Sequence, residues 1–188
     1  MDGLRREQGH IMDYAILVYF DAAAEATLNR WISRLVDGGV SPAYQKTGMR
    51  PHLTIAEVDT SDYEAIKACV EDLSEHLPDL SVKLASVGFF PNDEGVLFLA
   101  PIVDEPLLEF HRTVNTALEP LSDAFSPLYL ENNWVPHCTL ALGMKADEFS
   151  IAYQTLQAVF EPIEVKISGI SIVKCCPYQE TLVCPINA

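Results

Sequence analysis

Residues 51–55 read PHLTI, and residues 136–140 read PHCTL. The chain has only five histidines, yet two of them, 85 positions apart, stand in one frame, with proline before and threonine two residues after. On a β-strand side chains alternate between faces, so His-x-Thr sets an imidazole and a hydroxyl side by side and turns the residue between them to the other side. Those other positions, Leu53 and Ile55 in the first copy and Cys138 and Leu140 in the second, suit a buried sheet face. A proline is tolerated at the start of a strand, and here it marks where each motif strand begins.

The segments around the motifs repeat as well. Residues 14–20 (YAILVYF) read as a buried strand, Asp21 as the N-cap of a helix over 22–36, and Gly38 and Gly39 as its stop. Residues 40–50 read as a loop. After the first motif strand, Ser61-Asp62-Tyr63-Glu64 has a capping-box pattern and opens a helix with Tyr63, Ile66, Val70, Leu73 and Leu77 on its inner side. Residues 80–90 and 96–102, separated by PNDEG, predict a hairpin. The second half follows the same order: a helix within 104–121, the motif strand at 137–143, a helix near 147–160, then strands around 165–174 and 181–186. Val82-Lys83-Leu84 returns as Val165-Lys166-Ile167 and Pro101-Ile102 as Pro185-Ile186, at offsets of 83 and 84. These echoes predict an internal repeat over about 14–102 and 96–186. The expected fold is α+β and bilobal, with two mostly antiparallel sheets and flanking helices related by a pseudo-twofold around a central cleft. Residues 1–12 read as a loose tail, leaving 13–187 as one domain.

Composition narrows the function classes. With 188 residues, 49% hydrophobic and 21% charged, the chain has the make-up of a soluble globular protein. Its longest apolar run, 14–20, falls far short of the roughly 18 residues of a membrane span. It also ends at Asp21 without a cleavage site, so the protein is read as cytoplasmic. Five cysteines (69, 138, 175, 176 and 184), odd in number and without a CxxC pair, point to reduced thiols rather than a disulfide framework or zinc. Net charge is −15, from 27 acidic and 12 basic residues, which repels a long nucleic acid. A phosphate-bearing partner is therefore expected to be a small ligand or a strand end.

Two imidazoles meeting across a cleft can act as general base and general acid near neutral pH. Two threonine hydroxyls can hydrogen-bond the non-bridging oxygens of a phosphate and stabilise charge in the transition state. Together they suit in-line attack at phosphorus without a metal or cofactor. No GxGxxG, GxxxxGK[ST], GxSxG or HExxH competes with them. A zinc site from the two histidines and an acidic neighbour is disfavoured, because strand alternation puts Glu57 on the face opposite His52.

PHLTI and PHCTL resemble the paired His-x-Thr/Ser signatures of the two-histidine phosphoesterase superfamily, in particular its bacterial branch labelled 2′-5′ RNA ligase or RNA 2′,3′-cyclic phosphodiesterase. The resemblance spans about residues 13–187. It implies metal-independent opening of a cyclic phosphodiester, typically a ribose 2′,3′-cyclic phosphate, with His52 and His137 as acid and base and Thr54 and Thr139 as phosphate ligands. Which histidine is the acid stays open. The RNA-directed branch often carries a basic residue after the second motif, whereas this chain continues Ala141-Leu142-Gly143-Met144 before Lys145. With the acidic charge, that speaks against an RNA polymer and for a small nucleotide or RNA end, handled by a monomer. A binding module without turnover, and ligation, are the alternatives. As further ligand contacts, Lys46, Arg50 and Lys145 are candidates for phosphate, and Tyr44, Tyr129 and Trp134 for stacking on a base. His111 reads as a helix residue at the core edge; His76 and His10 read as surface.

Overall fold

The computed structural model describes residues 11–92, 94–175 and 178–186. The tail expected at 1–12 therefore falls outside them except for Ile11 and Met12, of which Met12 is buried; His10 and Cys176 lie outside as well.

β1 (Tyr14–Phe20) is apolar along its whole length because it is covered on both faces and pairs on both edges, with β2 (His52–Asp59) and with β7 (Ile163–Lys174). Asp21 then turns the chain into α1 (Ala22–Asp37): one carboxylate oxygen accepts from the Ala23 and Ala24 N–H groups, and the other from Lys166 of β7. The segment read as loop contains a short helix, α2 (Ala43–Thr47), closed by Gly48 in the left-handed region at φ 71°. α3 (Tyr63–His76) is capped by Asp62, whose side chain accepts from Ala65, rather than by Ser61. β3 (Ser81–Phe90) and β4 (Val96–Pro101) form the expected hairpin. α4 (Glu105–Leu118), a two-residue β5 (Ala124–Phe125), β6 (Cys138–Ala141), α5 (Glu148–Gln157), β7 and β8 (Gln179–Pro185) complete the chain.

The eight antiparallel strands of the described residues follow one path, β5-β2-β1-β7-β3-β4-β6 with β8 also on β7, in which the two expected sheets, β5-β2-β1-β7-β8 and β7-β3-β4-β6, are continuous through β7. β7 is what joins the expected halves, since its start pairs with β3 and the rest with β1 and β8. The two segments bearing the Val-Lys echo are strands that pair with each other, Val82 opposite Val165. Elements β1-α1-β2-α3-β3 and β4-α4-β6-α5-β7 follow one order, and the helices cross over: α1 packs behind β6 and α4 behind β2.

All four long helices bury their inner sides in one core with Ile16, Val18, Leu53, Ile55, Leu99, Cys138 and Leu140. That covers one face of the sheet. On the opposite face a smaller cluster of Ala15, Leu17, Tyr19 and Val173 surrounds the region where the first motif emerges. A twisted sheet of this many strands curls, and β2 and β6, far apart in strand order, come into contact. No helix among the described residues is long and apolar enough to cross a membrane.

Candidate active site

Both motif histidines are held by the same device. His52 Nδ1 lies 2.7 Å from the Arg50 carbonyl, and His137 Nδ1 lies 2.7 Å from the Val135 carbonyl. The residue between ring and carbonyl is the proline of the motif, Pro51 or Pro136. Proline fixes its own φ and pushes the preceding residue to extended backbone, which aims that residue's carbonyl back at the imidazole. A carbonyl only accepts, so Nδ1 carries the proton and Nε2 is left for chemistry.

Both motif strands also bulge at the same place. Leu17 pairs with Thr54 and Ile16 with Ala56, so Ile55 is extra; Phe98 pairs with Thr139 and Leu97 with Ala141, so Leu140 is extra. A bulge shifts every later side chain by one face. Glu57, opposite Ala15, therefore lies on the same face as His52 (opposite Tyr19) and Thr54 (opposite Leu17), which corrects the alternation that placed it on the far side. The Ser126 N–H donates to the Glu57 carbonyl at 2.9 Å, and this holds the turn that follows, with Tyr129, against β2 beside Thr54 and Glu57. Burial raises the Glu57 carboxyl above its ordinary range, with the Glu94 charge adding to the effect. Among the described residues no cluster of three His, Cys, Asp or Glu side chains is arranged to hold a metal ion.

The motifs sit close together. Trp134 Nε1, three residues before His137, donates to the Thr54 carbonyl at 3.0 Å, and the two motif strands themselves are in contact. Burial holds His52 down to about 4, reinforced by the His137 charge. His137 is more open and is lowered by burial without a like contribution from its partner. Its ring packs edge-on to Phe90 at 5.0 Å and against Phe98 at 5.3 Å. Gly88, opposite Phe98, makes room for that ring, because a Cβ there would lie 2.6 Å from it.

The six expected ligand contacts divide. Arg50 is beside the site: its guanidinium lies 4.1 Å above the Tyr19 ring and is pinned by Glu25 at 2.6 Å. Tyr129 is at the site, on the turn that packs against β2 beside Thr54. Tyr44 is buried at 3% exposure with its hydroxyl on the Arg50 carbonyl, so it props the tether of His52 and is closed to a base. Trp134 is also buried; it stacks on His111 at 4.0 Å and serves Thr54 through its indole N–H. Lys46 is exposed on α2, and Lys145 is exposed past β6 with its backbone N–H on Glu148. His111 is fully in the core, its Nε2 2.9 Å from the Tyr129 carbonyl. Tyr19, Phe90 and Phe98 escaped the sequence reading, and Glu57 was set on the wrong face. Register is the signal that finds them, and a bulge is what hides it.

The family profile described as the 2′-5′ RNA ligase superfamily matches residues 20–175. A search of curated proteins by sequence returned no match. Among solved structures, TT0787 of Thermus thermophilus superposes with a TM-score of 0.60 at 17% identity, over 94% of this chain and 99% of that one. LigT of E. coli complexed with 3′-AMP gives a TM-score of 0.57 at 14% identity, over 94% and 99%. Usb1 of Kluyveromyces marxianus gives 0.52 at 12%, over 93% and 98%. At such identities the likeness is one of fold. Over most of its length the sequence matches the family, and both motif histidines lie within the matched span: the chain belongs to the 2′-5′ RNA ligase superfamily, the two-histidine phosphoesterases.

Proposed function

We propose that this protein is a cyclic phosphodiesterase that opens a 2′,3′-cyclic phosphate, or a related cyclic phosphodiester, of a small nucleotide or RNA end. The observation that carries the reading is the matched tether of two imidazoles, each bonded through Nδ1 to the carbonyl two residues back. One neutral Nε2 takes a proton from water as its oxygen attacks phosphorus. The ester bond in line with that attack breaks, and its oxygen takes the proton from the other ring's Nε2–H. Cyclic diester and water thus become a phosphomonoester, with the Thr54 and Thr139 hydroxyls on the non-bridging oxygens.

The contrast in burial supports His52 as the base and His137 as the acid. His52, depressed to about 4, is neutral at working pH, while His137 is open enough for an anionic phosphate to favour its charged form. A small ligand agrees with the net charge of −15 and with LigT, which is seen with 3′-AMP, NADP+ and ATP. The free thiols of Cys69, Cys138 and Cys184 support a reducing, cytoplasmic setting.

The test is a panel of cyclic phosphates incubated with the purified chain, the products identified by which ester remains. Phosphomonoester should form, and turnover should survive a chelator, since the chemistry uses only imidazole, hydroxyl and water. Unopened ligand across the whole panel would overturn the reading and leave a binding module.

A further inference from the structure

Next to His52, on the site's own face, lies a pocket of about 170 Å³ lined by Tyr19, Met49, Arg50, Val173, Tyr178 and Glu180 among others. Its register fixes its position: Tyr19 is the strand partner of His52, and Val173, on the same face, is the partner of Glu180. We propose that this is a base-specificity pocket, which takes one nucleobase carrying an amino group and turns that donor edge to the Glu180 carboxylate. The inference rests on the cyclic-phosphodiesterase reading of the neighbouring site and names its substrate class.

Three features set the class. The volume lies below the roughly 300–1,000 Å³ of ordinary ligand sites, which fits one ring system and not a dinucleotide. The walls offer flat, sequence-tolerant stacking surfaces, with the Arg50 guanidinium 4.1 Å over the Tyr19 ring and Tyr178 beside them. The polar end of the pocket is an acceptor. Glu180 Oε1 already takes the Tyr19 hydroxyl at 2.6 Å, and a carboxylate has about four acceptor positions, so room remains for ligand N–H groups.

Guanine, adenine and cytosine each turn an amino group outward. Uracil flanks its one N–H with two carbonyl oxygens, which would face the carboxylate as acceptor against acceptor. A second phosphate is equally unwelcome, because the lining's cation, Arg50, is taken by Glu25 while Glu180 and, nearer Thr54, Glu57 bring negative charge. The substrate is thus a mononucleotide cyclic phosphate with an amino-bearing base.

The experiment measures kcat/KM of the intact protein on the 2′,3′-cyclic phosphates of guanosine, adenosine, cytidine and uridine, for wild type and Glu180→Gln. At least one amino-bearing base should exceed uridine by about tenfold or more, and the amide, which donates as well as accepts, should erase that preference. Equal turnover of all four, or a preference that persists in Glu180→Gln, would overturn the proposal. If Glu180→Gln fails to fold, Tyr19→Phe, which keeps the ring but releases Glu180, must lower the preference. If wild type opens none of the four, the cyclic-phosphodiesterase reading has failed on its own. The pocket is then judged by calorimetry with 3′-GMP, 3′-AMP, 3′-CMP and 3′-UMP, where the same preference in Kd supports it and equal or absent binding overturns it.

Discussion

The first and second motif strands share a backbone and differ in what surrounds it. Each has a proline, a carbonyl tether on Nδ1, a threonine two residues on and a bulge one residue later. Around His52 and Thr54 the neighbours are Tyr19, Tyr129, Glu57 and Arg50; around His137 they are Phe90 and Phe98. At the position 85 residues after Glu57 stands Leu142. The shared part presents two Nε2 atoms in the same way. The unshared part gives them different proton affinities, as a base and an acid in one step require.

Removing the shared part has the largest expected effect. His52→Ala and His137→Ala should each lower kcat by about 10²–10⁴-fold with the fold intact by circular dichroism. Thr54→Ala and Thr139→Ala should each cost about 10²–10³-fold in kcat, since each hydroxyl stabilises charge that develops only in the transition state. If the second strand's threonine proved dispensable, the equivalence of the strands would break.

Gly88→Ala strikes one side of the comparison alone. The added Cβ, 2.6 Å from the Phe98 ring, pushes that ring into His137. A drop in kcat of up to about 10²-fold is expected from misplacing the acid, with His52 undisturbed. An NMR titration that moved His52 and spared His137 would contradict the assignment of Phe98 to the acid's side.

Varying pH separates the two imidazoles without mutation. The base must be neutral and the acid protonated, so kcat/KM should fall below about 4, where His52 takes a proton, and fall again above the His137 value. That upper limb lies below the ordinary 6.5, because burial lowers His137, so the optimum should be mildly acidic. Stability has its own sign. Between about 6.5 and about 4 the unfolded chain binds a proton at residue 52 that the folded chain refuses. Stability is full above that window and declines as pH falls through it, and His52→Asn should flatten the decline in denaturant melts. The smallest effect belongs to Trp134→Phe, which removes the indole bond to the Thr54 carbonyl and should cost about 1 kcal/mol in denaturant unfolding.

The core of the candidate site was read from side-chain type and spacing. His52, Thr54, His137 and Thr139 were read from the repeated frame, and the helices from apolar periodicity and from caps, of which Asp21 caps as read while Asp62 takes the place of Ser61. What stayed hidden depends on register. Ile55 and Leu140 read as ordinary core residues, and nothing local marks them as the extra residue of a bulge, so Glu57 was placed on the wrong face. Tyr44 and Trp134 looked available for stacking because aromatic residues in loops often are, yet tertiary packing buries both and uses their polar atoms to hold the motif backbone. The continuity of the two sheets likewise turned on β7, whose pairing with β1 and β3 together has no sequence signature.

The account's central claim is that His52 and His137 act on one phosphorus in one step. Its most direct test is the kcat of the His52→Ala/His137→Ala double variant beside the two single variants on a 2′,3′-cyclic nucleotide. Groups that act as a unit are lost as a unit, so the double variant should be no slower than the slower single one. Losses that multiply, or a single variant that turns over like wild type, would contradict it.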